Sequence, residues 1–235
     1  MSRTASRRIR QAALVSAALL MPQLVQAQDD KSQAVKGGIQ VKGWMGVVDA
    51  KEAKAGLTVD SAKFVTMGAG MHATTGPATT YWNPSMTGKG DYTVKATFSE
   101  REFMGLNGHA HPYGIVIAGN DMGTEQASYL YCAAYGNGNF IVRGFGPAPF
   151  QMNGPRGGAN PAVKQAEAKG KPVSQEIAMQ VKGDKVSCLI NGTEVASYSK
   201  AELVAAGKLK STDGVVGFRM GHNTDAHIGG FSLGK

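Results

Sequence analysis

Between Tyr92 and Ser99 the chain alternates: Tyr92, Val94, Ala96 and Phe98 point one way, Thr93, Lys95, Thr97 and Ser99 the other. A period of two is that of a half-buried β-strand. Short runs of similar character recur at Lys63-Phe64-Val65, Met71 to Thr74, Ala78 to Trp82, Tyr129 to Tyr135, Phe140 to Gly144, Glu176 to Val181 and Lys185 to Ile190. Gly114 to Ala118 is apolar throughout, which predicts a strand covered on both faces. Turn residues punctuate these runs. Asn191-Gly192, between KVSCLI and TEVASY, supplies the two positive-φ positions of a type I′ hairpin. Gly136-Asn137-Gly138-Asn139 predicts another hairpin, and Asn83-Pro84 ends the strand at Trp82. The closing stretch GVVGFRMGHNTDAHIGGFSL reads as strand, polar turn and strand.

Helix is scarce. Lys51 to Ala55 is helix-friendly, and Ala201 to Ala206 predicts one turn capped by Ser199 and stopped by Gly207. A third patch, Val163 to Ala168, sits inside the Pro- and Gly-rich stretch Phe145 to Lys171. A loop of that length is usually a binding loop, a lid or a mobile excursion. About eleven short strands with Gly-rich turns predict an all-β, two-sheet antiparallel sandwich.

The N-terminus reads as an address. Arg3, Arg7, Arg8 and Arg10 precede the apolar run Ala12 to Met21, and Val25-Gln26-Ala27 offers small residues for cleavage near Ala27. This is the layout of a secretory signal peptide over residues 1–27. Ser6-Arg7-Arg8 hints at a twin-arginine leader, but Arg10 stands where a bulky apolar residue belongs, which favours ordinary secretion. The apolar run is shorter than the ~20 residues that cross a bilayer. The expectation is a periplasmic or secreted, soluble chain without a transmembrane segment. Residues 28–37 are polar and expected to be flexible. Residues 38–235 are read as one sandwich domain. Removing the leader's four arginines lowers the net charge from +8 to +4. With no Lys/Arg run, nucleic acid is excluded as a partner. Cys132 and Cys188 each share a face with core-type neighbours, so both sulfurs are expected to be buried. They are either a disulfide, allowed in an oxidising compartment, or two thiols on strands that never meet.

The succession GDYTVKATF, HPYGIVIAG, SYLYCAAYGNGNFIVR, KVSCLINGTEV and GVVGFRMGHNTDAHIGGFSL, over Gly90 to Leu233, resembles the concanavalin A-like or laminin-G-like jelly roll. Within that superfamily it is most similar to bacterial secreted 3-keto-disaccharide hydrolase-like domains of the DUF1080 type. The resemblance implies a jelly-roll sandwich and an activity on glycosides. Its best-defined motifs, the NG hairpin and the closing G-x-x-G-F unit, are structural and bear on fold. That group's Asn-Ser-Gly segment and acidic, Gln-containing strand are replaced here by His111-Pro112-Tyr113-Gly114-Ile115 and Ser128-Tyr129-Leu130-Tyr131, so no catalytic residue carries over.

Tyr129, Tyr131 and Tyr135 share one strand face, with Arg143 on the next strand and Trp82 at a strand end. Aromatic faces stack on sugar rings, and phenol hydroxyls hydrogen-bond to them. The leading expectation is a carbohydrate or small polar ligand held on the concave sheet by Tyr129, Tyr131, Arg143 and a rim platform at Trp82. The 145–171 loop would form a wall. The competing reading of the tyrosines is packing. His109 and His111 are candidate ligands for a divalent metal, joined by His222, Asp225 and His227 if the two segments meet. In a glycoside-processing enzyme the same two histidines become candidates for proton transfer. Asn120-Asp121 is a candidate for Ca²⁺, since laminin-G-like domains often bind it. Glu100 and Glu102 flank Arg101 and read as a solvated loop cluster. There is no G-x-S-x-G elbow, no phosphate loop and no strand with alternating carboxylates. A third class is an envelope-associated interaction module without a small ligand.

Overall fold

The computed structural model describes Met1 and residues 31–235, so residues 2–27 of the leader read at 1–27 lie outside the described residues. In chain order the strands are β1 (Gly38–Ile39), β2 (Met45–Val48), β3 (Ala62–Met67), β4 (Gly70–Thr75), β5 (Thr79–Gly88), β6 (Tyr92–Glu100), β7 (Pro112–Asn120) and β8 (Ser128–Tyr135). They continue as β9 (Asn139–Phe145), β10 (Pro149–Gln151), β11 (Gly158–Ala159), β12 (Val173–Lys182), β13 (Lys185–Ile190), β14 (Thr193–Ser199), β15 (Gly214–Met220) and β16 (Asp225–Gly234). One sheet runs β1-β3-β4-β16-β6-β12-β13-β14, the other β10-β9-β8-β7-β15-β5-β2 with β11 added against β9. Every pairing is antiparallel except β1 with β3. The two layers make an all-β jelly-roll sandwich, as the alternation predicts.

The inward positions of both sheets fill the space between the layers. Tyr92, Val94, Ala96 and Phe98 of β6 meet Tyr113, Ile115 and Ile117 of β7. Phe64 stacks on Tyr81 at 4.4 Å. Cys132 of β8 and Cys188 of β13 are joined by a disulfide across the layers, with Cα atoms 6.0 Å apart. This resolves the choice left open by the sequence. The NG turn adopts the expected conformation, with φ of 51° at Asn191 and 80° at Gly192. The two short helices, α1 (Ala50–Lys54) and α2 (Lys200–Leu203), form where propensity placed them, α2 with a full capping box between Ser199 and Glu202.

Two expectations are corrected. β5 does not stop at Asn83-Pro84 but continues to Gly88, with a register shift opposite Val215 and Val216. Proline has no N–H for the ladder, and it sits at that irregularity. Val163 to Ala168 forms no helix; Val163 instead enters the core, and the buried Gln175 side chain accepts from the Lys164 N–H and donates to its carbonyl. The 145–171 stretch folds back as β10 and β11 against β9, clamped by the Asn153 side chain on Val142 N and Phe140 O. In the segment expected to be flexible, Ser32 donates to Glu52 and the Gln33 N–H donates to Asn223 Oδ1. No helix among the described residues is long and apolar enough to cross a membrane.

Candidate functional site

Alternation along β8 splits its residues. Leu130, Cys132 and Ala134 enter the inter-layer core, whereas Tyr129, Tyr131 and Ala133 join Val116 and Ile141 in a second cluster on the other face of the sheet. The two tyrosines are 4% and 5% exposed, so they are neither core between the layers nor an open stacking platform. Phe145 covers them, its ring centroid 4.9 Å from Tyr129 and 6.4 Å from Tyr131. The Tyr129 hydroxyl shares a hydrogen bond with Thr80 Oγ1 at 3.0 Å. Burial pushes that phenol well above its ordinary pKa, so it stays neutral.

Arg219 of β15 lies beside them. Its Nη1 and Nη2 donate to Asp49 Oδ1 and Oδ2 at 2.6 and 2.5 Å, and Nη1 also donates to Thr80 at 3.1 Å. The guanidinium carbon sits 5.5 Å from the Tyr131 ring centre and 5.6 Å from that of Phe145. This pair was missed from sequence. Its trace was a single Arg in the otherwise apolar GVVGFRM, and a buried charge demands a partner.

Above this floor opens a cleft of about 320 Å³, with Lys51, Tyr131, Arg143, Phe145, Phe150 and Gln151 among its lining residues. Arg143 is tied to the following loop, its Nη2 donating to the Pro155 carbonyl at 2.6 Å, while its buried Nε has no hydrogen-bond partner among the described residues. The sequence therefore pointed to Tyr131 and Arg143 together, and β10 supplies part of the expected wall. Trp82 does not join them. It is 3% exposed, with Gly123 close against its ring, so it is no rim platform.

The histidines divide. His109 and His111, in the β6–β7 loop, meet His222 of the β15–β16 turn, with one nitrogen from each lying within 4.8 Å of the others. His227 goes elsewhere: it pairs in register with His72, whose Nε2 is 3.0 Å from Asp225 Oδ1. Partial burial works against the Asp225 carboxylate, but the hydrogen bonds from His72 and Thr74 outweigh it and hold its pKa below the usual range. At the candidate calcium position, the Asp121 carboxylate is paired with Lys210, and Asn120 spends its amide N–H groups on Ala118 and Asp213 carbonyls. Those partners oppose a calcium site there.

Glu100 is not a solvated loop residue. It ends β6 and is 6% exposed, one further step in the alternation that begins at Tyr92. Burial raises its pKa from 4.5 to about 7; the Tyr113 hydroxyl opposes the rise and the Asp225 charge adds to it. The folded state thus binds the proton more tightly than the unfolded chain. The resulting stabilisation is complete below pH 4.5 and is lost as pH rises through about 7. A loss of about 3 kcal/mol by pH 8 is expected. Glu100→Gln should flatten that dependence in urea unfolding across the range. Parallel pH profiles for the two proteins would refute the assignment.

The fold recurs in solved structures. A Bacillus subtilis protein of unknown function with a galectin-like fold aligns with a TM-score of 0.57 at 15% identity, over 83% of this chain and 90% of that one. The carbohydrate-binding module CBM66 from Bacillus subtilis aligns with a TM-score of 0.51 at 11% identity, over 85% and 99%. These likenesses show a shared jelly-roll sandwich fold and do not single out the 3-keto-disaccharide hydrolase group. No protein-family model matches the chain, and no curated protein does.

Proposed function

We propose that this chain is an exported jelly-roll module that binds a carbohydrate in the cleft beside β9 and β10. The observation that carries the reading is that the polar residues Arg143, Gln151 and Tyr131 line one cleft together with Phe145 and Phe150. Ligand pockets combine such apolar walls with a few placed polar groups. Asp49 is already committed to Arg219, so Lys51 and Arg143 leave the lining positive and favour an acidic sugar over a neutral one. A structural neighbour named as a carbohydrate-binding module agrees with this reading. Export is supported by the Cys132–Cys188 disulfide, which persists in oxidising compartments, and by the leader-like sequence at 1–27.

A glycan array followed by calorimetry tests the proposal. Arg143→Ala and Gln151→Ala should each weaken the best-bound glycan about tenfold or more. Tyr131→Phe probes the hydroxyl while keeping the buried ring. The reading fails if no glycan binds, or if Arg143→Ala binds as tightly as the parent.

A further inference from the structure

The geometry points to a transition-metal site formed by His109, His111 and His222, taking a late first-row divalent ion, zinc foremost. Residues from two separate segments meet there because the backbone pins them. The Gly221 N–H donates to the Pro112 carbonyl at 2.7 Å, the Thr75 hydroxyl donates to the Gly221 carbonyl at 2.6 Å, and the Asn223 N–H donates to Gly76 at 3.1 Å. His222 follows Gly221 and His111 precedes Pro112, so the first of these bonds sets the two imidazoles side by side, 4.0 Å between ring centres. The approach requires glycine: a Cβ at 221 would fall 2.7 Å from Pro112 Cδ. Asn107 organises the other half. Its Oδ1 accepts from the His109 N–H at 3.1 Å, and its Nδ2 lies against His111 Nε2.

The donor set selects the ion. Imidazole suits zinc, copper and nickel, whereas calcium and magnesium require oxygen ligands. Tetrahedral Zn–N bonds place ligand nitrogens about 3.3 Å apart. The three nitrogens lie within 4.8 Å of one another, so a bound ion would have to draw them closer together. Burial is graded, with His111 inside, His222 intermediate and His109 at the surface, which gives an ion a way in. Three neutral ligands leave the ion its full charge and one coordination position for water or a ligand oxygen. None of the three histidines lines the cleft beside β9, so the two proposals stand or fall separately.

The test uses the untagged full chain, stripped with chelator and titrated with ZnCl₂ in a calorimeter, with Co²⁺ visible absorption reporting the coordination. One ion per chain is expected. His109→Ala and His222→Ala should each lose more affinity than the roughly 10–100-fold that removing an outer-shell partner costs. His72→Ala and His227→Ala, outside the cluster, should bind as the parent does. Circular dichroism of the metal-free variants controls for folding. Absence of saturable binding, or unchanged affinity in a folded His222→Ala protein, would overturn the inference. Loss in His227→Ala alone would do the same.

Discussion

Reduction of the Cys132–Cys188 bond should lower the stability of the sandwich by about 4 kcal/mol. The cysteines are 56 residues apart in sequence, and closing a loop of that length removes a large part of the unfolded chain's freedom. Both sulfurs are buried and the bond joins strands of opposite sheets, so it also holds the two layers in register. Urea unfolding of the oxidised protein, the reduced protein and Cys132→Ala/Cys188→Ala measures the effect. The midpoint should fall in both uncrosslinked forms, and the denaturant dependence should steepen because the unfolded chain expands. Against a typical stability of about 5–15 kcal/mol, such a loss leaves a marginal domain. Cytosolic expression should accordingly yield a less stable protein than export does. Equal midpoints for oxidised and reduced protein would show that the bond contributes nothing beyond packing.

The parts of the fold legible in the sequence are those set by local rules. The alternation of Tyr92 to Ser99, the Asn191-Gly192 turn and the Ser199 cap depend on neighbours a few residues away, and each forms as read. The misread elements depend on distant partners. β5 runs past Pro84 because β15 tolerates a register shift there, and Val163 leaves its helix-friendly patch because the sandwich has a place for it in the core. The candidate site divides along the same line. Tyr131 and Arg143 were visible as neighbours across adjacent strands, and the structure pairs them in register. Trp82 was misjudged because the Gly123 loop that covers it lies far along the chain. Whether His109 and His111 meet His222 or His227 depends on which sheet each end of the last turn joins, and a single sequence does not encode that legibly.

Arg219→Met should destabilise the protein by about 3–4 kcal/mol, the cost of leaving one partner of a largely buried ion pair alone. Asp49 is the N-cap of α1, yet its side chain makes no cap hydrogen bond because both oxygens turn to Arg219. Burial alone would disfavour the guanidinium charge, but the Asp49 carboxylate and its hydrogen bonds outweigh it and hold the Arg219 pKa above its ordinary value. The side chains are 7% and 27% exposed, so the orphaned carboxylate of the variant regains only part of its hydration. Arg219→Lys keeps the charge but loses the two-pronged match to Asp49, and should fall between parent and Met variant. Adding Asp49→Asn to Arg219→Met removes the stranded charge and should recover much of the loss, since an apolar side chain can replace a buried pair at little cost. A double-mutant cycle in urea reads this coupling directly. An Arg219→Met loss below about 1 kcal/mol, or strictly additive effects, would assign the pair to the surface class. The same variant frees Tyr131 and Phe145 from the cation packed against them, so a glycan held by that cleft should dissociate more readily from Arg219→Met even though Arg143 and Gln151 remain in place.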